Sequence, residues 1–120
     1  MNIILNDFLK MKINLKQLKE KLGNDLYNLN IKATEIVYAN DVIYLINQYI
    51  LDKISMQAVI DWVNIVWFTD LFEYNPIEEE AIASVISLLE TLDEDDVQFS
   101  HIEFTNMIKC LSNNKVYKNS

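Results

Sequence analysis

The chain has 120 residues, is 51% hydrophobic and 23% charged, and carries a formal net charge of −8. That length suits one domain able to bury about two-thirds of its unfolded surface without metals or disulfides, and the apolar half excludes a disordered acidic tail. One glycine and one proline exclude a turn-rich β-sandwich, and the single cysteine, Cys110, excludes an intrachain disulfide or a cysteine-built metal site.

From the N-terminus, residues 1–12 read either as a short helix starting near Asn6–Asp7 or as an apolar strand through Ile3–Leu5. Lysines at 10, 12, 16, 19 and 21 break any signal-peptide pattern. Leu15, Leu18 and Leu22 then follow helical spacing, with Asn14 as cap and Gly23 at the expected left-handed end. Asn24 to Asn30 reads as a connection. Thr34 to Leu51 resumes helical spacing through Ile36, Val37 and Ala39, and Asn40–Asp41 can cap a fresh helix inside it. Val42 to Leu51 is the most apolar stretch, about ten residues long and too short to span a bilayer.

Asp52–Lys53–Ile54–Ser55 reads as a corner, with Ser55 capping a helix whose apolar residues Ala58, Val59, Trp62, Val63, Val66 and Trp67 form a wide face. Trp62 and Trp67 point about 140° apart around that helix, so one faces the core; the other either packs in the core too, with Phe68, Phe72 and Tyr74, which is the preferred reading, or lies near the surface with them as an interface anchor. Asn75–Pro76 reads as the start of the next helix, which runs through Ile82, Val85, Ile86, Leu89 and Leu92. After a polar break at 93–96, Ser100 and Glu103 form a capping box opening a last helix through Phe104, Met107, Ile108 and Leu111; the tail beyond Ser112 is expected to fray. The expectation is an all-α, single-domain bundle of about five or six helices.

No catalytic signature is present. HExxH, GxSxG, Walker A and dinucleotide-binding glycine patterns are absent, and the one histidine, His101, has no nucleophile or metal-ligand pattern at useful spacing on its helix. Starting an EF-hand loop at Asp93 puts Val97, Gln98 and Phe104 where an oxygen ligand, glycine and glutamate belong. No cofactor, metal or enzymatic activity is expected.

Charge is the informative feature. Residues 1–60 hold seven lysines and six acids, whereas residues 61–120 hold three lysines and twelve acids. Between Asp70 and Glu103 there are eleven acids and no lysine, a segment that repels a phosphate backbone and attracts a basic protein. Glu78, Glu79 and Glu80 gain from the dipole of the helix they open, which leaves two readings of the segment: a solvated acidic face, or a docking surface. On the docking reading the partner-binding residues are Asp70, Glu73, Tyr74, Glu78, Glu79, Asp93, Glu94, Asp95, Asp96 and Glu103, with Trp67 as an aromatic anchor.

The run Asn40–Asp41–Val42, Asn47–Gln48–Tyr49–Ile50, Asp52–Lys53–Ile54–Ser55 and Asp61–Trp62 resembles a pattern in small bacterial immunity proteins. These include the cytoplasmic partners of contact-dependent inhibition toxins and other polymorphic toxins. Asp52 stands where those proteins often have glycine, and Val63 where a small alanine commonly follows the tryptophan. The resemblance spans about residues 38–112. It implies a non-enzymatic cytoplasmic protein, a monomer or weak dimer, whose partner is a cognate basic toxin rather than nucleic acid or membrane. The alternative is an adaptor subunit that oligomerises through the apolar helix Met56 to Phe72.

Overall fold

A computed structural model describes residues 2–23, 35–69, 71–94 and 96–118. Among these residues the chain forms six helices: α1 (Asn2–Leu9), α2 (Leu15–Leu22), α3 (Ala39–Ile50), α4 (Met56–Phe68), α5 (Glu79–Leu89) and α6 (His101–Ser112). Two three-residue strands, β1 (Glu35–Val37) and β2 (Phe72–Tyr74), accompany them. The expected helical bundle is present, with this small sheet as an addition. Residues 3–9, open between helix and strand in the sequence, are helical.

Three helix starts follow their local chemistry. The Asn14 side chain accepts from Gln17 N–H at 2.9 Å and the Gln17 side chain from Asn14 N–H at 2.8 Å. Ser55 Oγ accepts from Ala58 N–H at 3.1 Å, and Ser100 and Glu103 close the same reciprocal box at 3.1 and 3.2 Å. Each satisfies amides that the first helical turn leaves open. Gly23 ends α2 at φ 56°.

Two expected helix starts are corrected. Ile36 and Val37 belong to β1, which pairs in parallel with β2 (Glu35 opposite Phe72, Val37 opposite Tyr74), and α3 begins after it at Ala39. A parallel pair needs a long crossover, supplied here by α3 and α4. Asp41 sits in the first turn of α3 and accepts from Tyr38 N–H at 2.9 Å instead of capping a new helix. Asn75–Pro76 opens a turn closed by Glu78 N–H donating to the Asn75 carbonyl at 2.9 Å, so α5 starts three residues after Pro76, at Glu79, and stops at Leu89 rather than Leu92. Pro76, with φ fixed by its ring, suits the second position of such a turn.

The core runs through all six helices. Leu5, Leu9, Leu18, Val42, Leu45, Val63, Ile82, Val85, Met107 and Leu111 are fully enclosed. Trp62, 2% exposed, lies at its centre and donates from Nε1 to the Leu9 carbonyl at 3.2 Å, tying the α1–α2 corner to α4. The wide apolar face of α4 is consumed internally: Val59, Ile60, Trp62, Val63, Ile65 and Val66 are all buried. Lys10 and the buried carboxylate of Asp41 pair between α1 and α3.

Helix α6 packs chiefly on α3. Beyond it the chain turns back, with Tyr117 N–H donating to Ser84 Oγ at 2.9 Å and Asn114 Nδ2 to the Ile77 carbonyl at 3.0 Å. Two residues of the tail, Asn114 and Tyr117, thus contact α5 and the turn before it. The Asn24–Asn30 connection lies outside the described residues. Cys110 is half-buried.

Candidate functional site

Helices α4 and α5 are joined through β2 and run antiparallel. The N-terminus of α4 and the C-terminus of α5 therefore share one end of the hairpin, and Trp67 and Glu79 share the other. At 1.5 Å per residue, the ten steps from Glu79 to Leu89 separate these ends by about 15 Å. The acidic residues divide between them.

At the first end a groove of about 820 Å³ carries Asp93, Glu94 and Asp96. Tyr49, Met56, Leu92, Phe99 and Phe104 supply its apolar lining. The Phe104 ring meets Tyr49 and Phe99 edge-on, with centroids at 5.7 and 5.8 Å, the arrangement aromatic quadrupoles favour. Among the described residues no lysine lines this groove. Among the described residues, none of its three carboxylates is ion-paired: the one ion pair there is Lys10–Asp41. The carboxylates follow α5, whose last residue is Leu89, on the side of its negative dipole end, so that helix offers them no compensating positive charge. The N-terminus of α6 gives little relief, because Ser100 and Glu103 already satisfy its capping amides. Asp96 has φ 67°, a left-handed conformation costly for a residue with a side chain.

At the opposite end a shallower groove of about 440 Å³ is lined by Trp67, Glu73, Tyr74 and Glu79 over Val66, Phe72 and Pro76. Trp67, 40% exposed, stacks on Phe68, 65% exposed, with centroids at 5.1 Å and planes 12° apart. The tryptophans divide, Trp62 inward and Trp67 outward, which corrects the preferred expectation that both pack in the core. Phe72 is buried through β2 pairing. The Tyr74 hydroxyl is pushed up to about 12, first by burial and then by the negative charge of Glu79, so it stays protonated across the physiological range. Glu79 itself lies in the first turn of α5, where the dipole favours it.

The remaining sequence-selected residues fall elsewhere. Glu78 is occupied inside the fold, its Oε1 accepting from Ala39 N–H at 3.2 Å and from Asn75 Nδ2 at 2.8 Å. That locks the 75–78 turn onto the β1–α3 junction. Glu103 is engaged in its capping box. Asp70 and Asp95 lie outside the described residues. The sequence reading thus selected carboxylates of two separate grooves, and it missed the aromatic floor of the first. Tyr49 had appeared only within the Asn47–Ile50 run of the resemblance and Phe104 only as an apolar residue of the last helix, and Phe99 had not been singled out.

A third concavity, between the α1–α2 corner and α4, is lined mainly by Phe8, Met11, Ile13, Leu15, Ile54 and Trp62. At about 250 Å³ it falls below the usual range of small-molecule pockets, roughly 300–1,000 Å³. Among the described residues there is no cluster of three or more metal-ligating side chains, and no helix is long and apolar enough to cross a membrane. Comparison with family models, curated proteins and solved structures finds no match to this chain.

Proposed function

We propose that this protein is a cytoplasmic immunity protein that binds and neutralises a basic bacterial toxin through the groove formed by Asp93, Glu94 and Asp96. The observation that carries the reading is a set of carboxylates, unpaired among the described residues, held over an aromatic floor beyond the negative end of α5. Acids placed for stability sit at helix N-termini or beside lysines, and among the described residues these do neither. Their repulsion, about 0.7 kcal/mol per pair at 6 Å even in water, is released when a cationic surface covers them.

A toxin that cleaves nucleic acid needs a positive groove for its substrate. An acidic protein can occupy that groove with carboxylates in place of phosphates, needing no chemistry of its own. Opposite fields also speed the encounter, which suits an inhibitor that must act before damage accumulates. Asp52 departs from the glycine that the resembled proteins often carry at this corner, and its φ of 62° is a conformation glycine enters at less cost than other residues.

The test begins with the gene neighbourhood: a toxin gene next to this one, and restored growth when both are expressed together. Against the purified toxin, Asp93→Lys, Glu94→Lys and Asp96→Lys combined should slow association by at least about tenfold at low salt and flatten its salt dependence. An association rate indifferent to all three reversals removes the groove from the mechanism. Sedimentation should show a monomer that pairs with the toxin, because the apolar face of α4 is already buried within one chain.

A further inference from the structure

We infer that the groove between the C-terminus of α4 and β2 is a seat for an arginine side chain, with Trp67 and Tyr74 as its aromatic walls and Glu73 and Glu79 as its acceptors. The inference deepens the proposed function, on which it rests for the source of the arginine: a second contact point on the same basic partner.

Four features of this groove fit a guanidinium. It combines two aromatic rings with two carboxylates and, among the described residues, has no lysine in its lining. Among the described residues, neither Glu73 nor Glu79 is ion-paired or hydrogen-bonded through its carboxylate. Trp67 is steadied by stacking on Phe68, yet both rings keep substantial exposed surface. Glu73 is fixed by the strand, opposite Ile36, and Glu79 by the first turn of α5, so the acceptors are carried on ordered backbone.

The chemistry favours arginine over lysine. A guanidinium is planar, stacks on an aromatic face and offers a fork of N–H donors to carboxylates, whereas an ammonium is compact and holds its water more tightly. Tyr74 stays neutral and adds a polar hydroxyl at the rim rather than a third negative charge. The groove lies about 15 Å along the α4–α5 hairpin from the Asp93–Asp96 groove, so one partner spanning both would present two separate basic side chains. The second contact then becomes intramolecular once the first has formed.

The probe is N-acetyl-arginine amide, titrated into the full ¹⁵N-labelled chain beside the lysine, glutamine and leucine amides. The two indole N–H signals make the readout internally controlled: Trp67 lines the groove, while Trp62 is buried and bonded to the Leu9 carbonyl. Arginine amide should shift the Trp67 indole and the Glu73 and Glu79 amides saturably, with a dissociation constant on the order of 1–10 mM, and leave the Trp62 indole unmoved. Lysine amide should bind several-fold more weakly, and the glutamine and leucine amides should give no saturable shift. Glu73→Gln and Glu79→Gln, which preserve shape, should each weaken binding about three- to tenfold. Trp67→Leu, with folding checked from the remaining spectrum, should abolish it.

The absence of a saturable Trp67 response overturns the inference, as does an equal response to leucine amide or an affinity unchanged by both glutamine variants. If arginine binding fails while toxin association still depends on Asp93, Glu94 and Asp96, the pocket is wrong and the proposed function stands. If arginine binds here but toxin association ignores those three residues, the pocket stands and the proposed function falls.

Discussion

The two ends of the α4–α5 hairpin carry the same kind of charge for different physical reasons. At the α5 N-terminus, Glu79 and Glu80 face a positive dipole end and help hold the helix. At the other end, Asp93, Glu94 and Asp96 follow the negative end of the same helix and repel one another, with no lysine in their groove among the described residues. Acidity alone therefore does not reveal whether a residue serves the fold or a partner. Its position relative to the backbone dipole does.

Asp41 supplies the reference for a carboxylate fully employed by the fold, being buried, paired with Lys10 and bonded to Tyr38 N–H. Chemical denaturation of Asp41→Ala should show the largest loss, about 2–3 kcal/mol, since the Tyr38 amide and the Lys10 ammonium lose their shared partner. A loss below about 0.5 kcal/mol would deprive the comparison of its standard.

The next effect differs in sign between the two ends. Glu79→Gln with Glu80→Gln should lower stability by about 0.5–1 kcal/mol. Asp93→Asn, Glu94→Gln and Asp96→Asn together should raise it by about 1 kcal/mol while weakening attraction to a cationic partner. Equal signs from the two sets would break the distinction.

Asp96 sharpens it further. Asp96→Gly relieves the left-handed backbone as well as the charge, and should stabilise by roughly 0.5 kcal/mol more than Asp96→Asn. A glycine variant no more stable than the asparagine variant would mean that no strain is held there.

The smallest effect is spectroscopic. Because burial raises the Tyr74 hydroxyl from 10 to about 12, its neutral form stabilises the fold fully below pH 10, and that contribution is lost as pH rises through 12. Phenolate absorbance should show Tyr74 titrating late, with Tyr117 also above its ordinary value through burial and the negative charge of Glu103, and Tyr74→Phe should remove the Tyr74 step. Glu79→Gln should move that step down only slightly, since burial is the larger cause.

Local chemistry was the legible part of this sequence. Asn14, Ser55 and Ser100 each cap a helix through atoms three residues away, so their roles are written within one turn of chain. The division between Trp62 and Trp67 was not legible, since a 140° separation on so apolar a helix allows both rings to be buried, and the packing around α4 decided it. The strands were not legible, because three residues such as Glu35–Ile36–Val37 are too few to separate a period of 2 from one of 3.6. Asn75–Pro76 misled for a related reason: proline fits the second position of a turn as well as the first turn of a helix, and the β1 junction chose between them.

What the sequence determined by itself was the helical class, the caps and the acid-rich second half, because hydrophobic spacing, capping and net charge are properties of neighbouring residues. Only the tertiary structure decided that Glu78 turns inward to the Ala39 amide, that Tyr49, Phe99 and Phe104 meet beneath Asp93, Glu94 and Asp96, and that the acids part into two grooves. Those outcomes depend on contacts between residues far apart in the chain, where α4 and α5 pack antiparallel and carry one charge-rich segment to both ends of a hairpin.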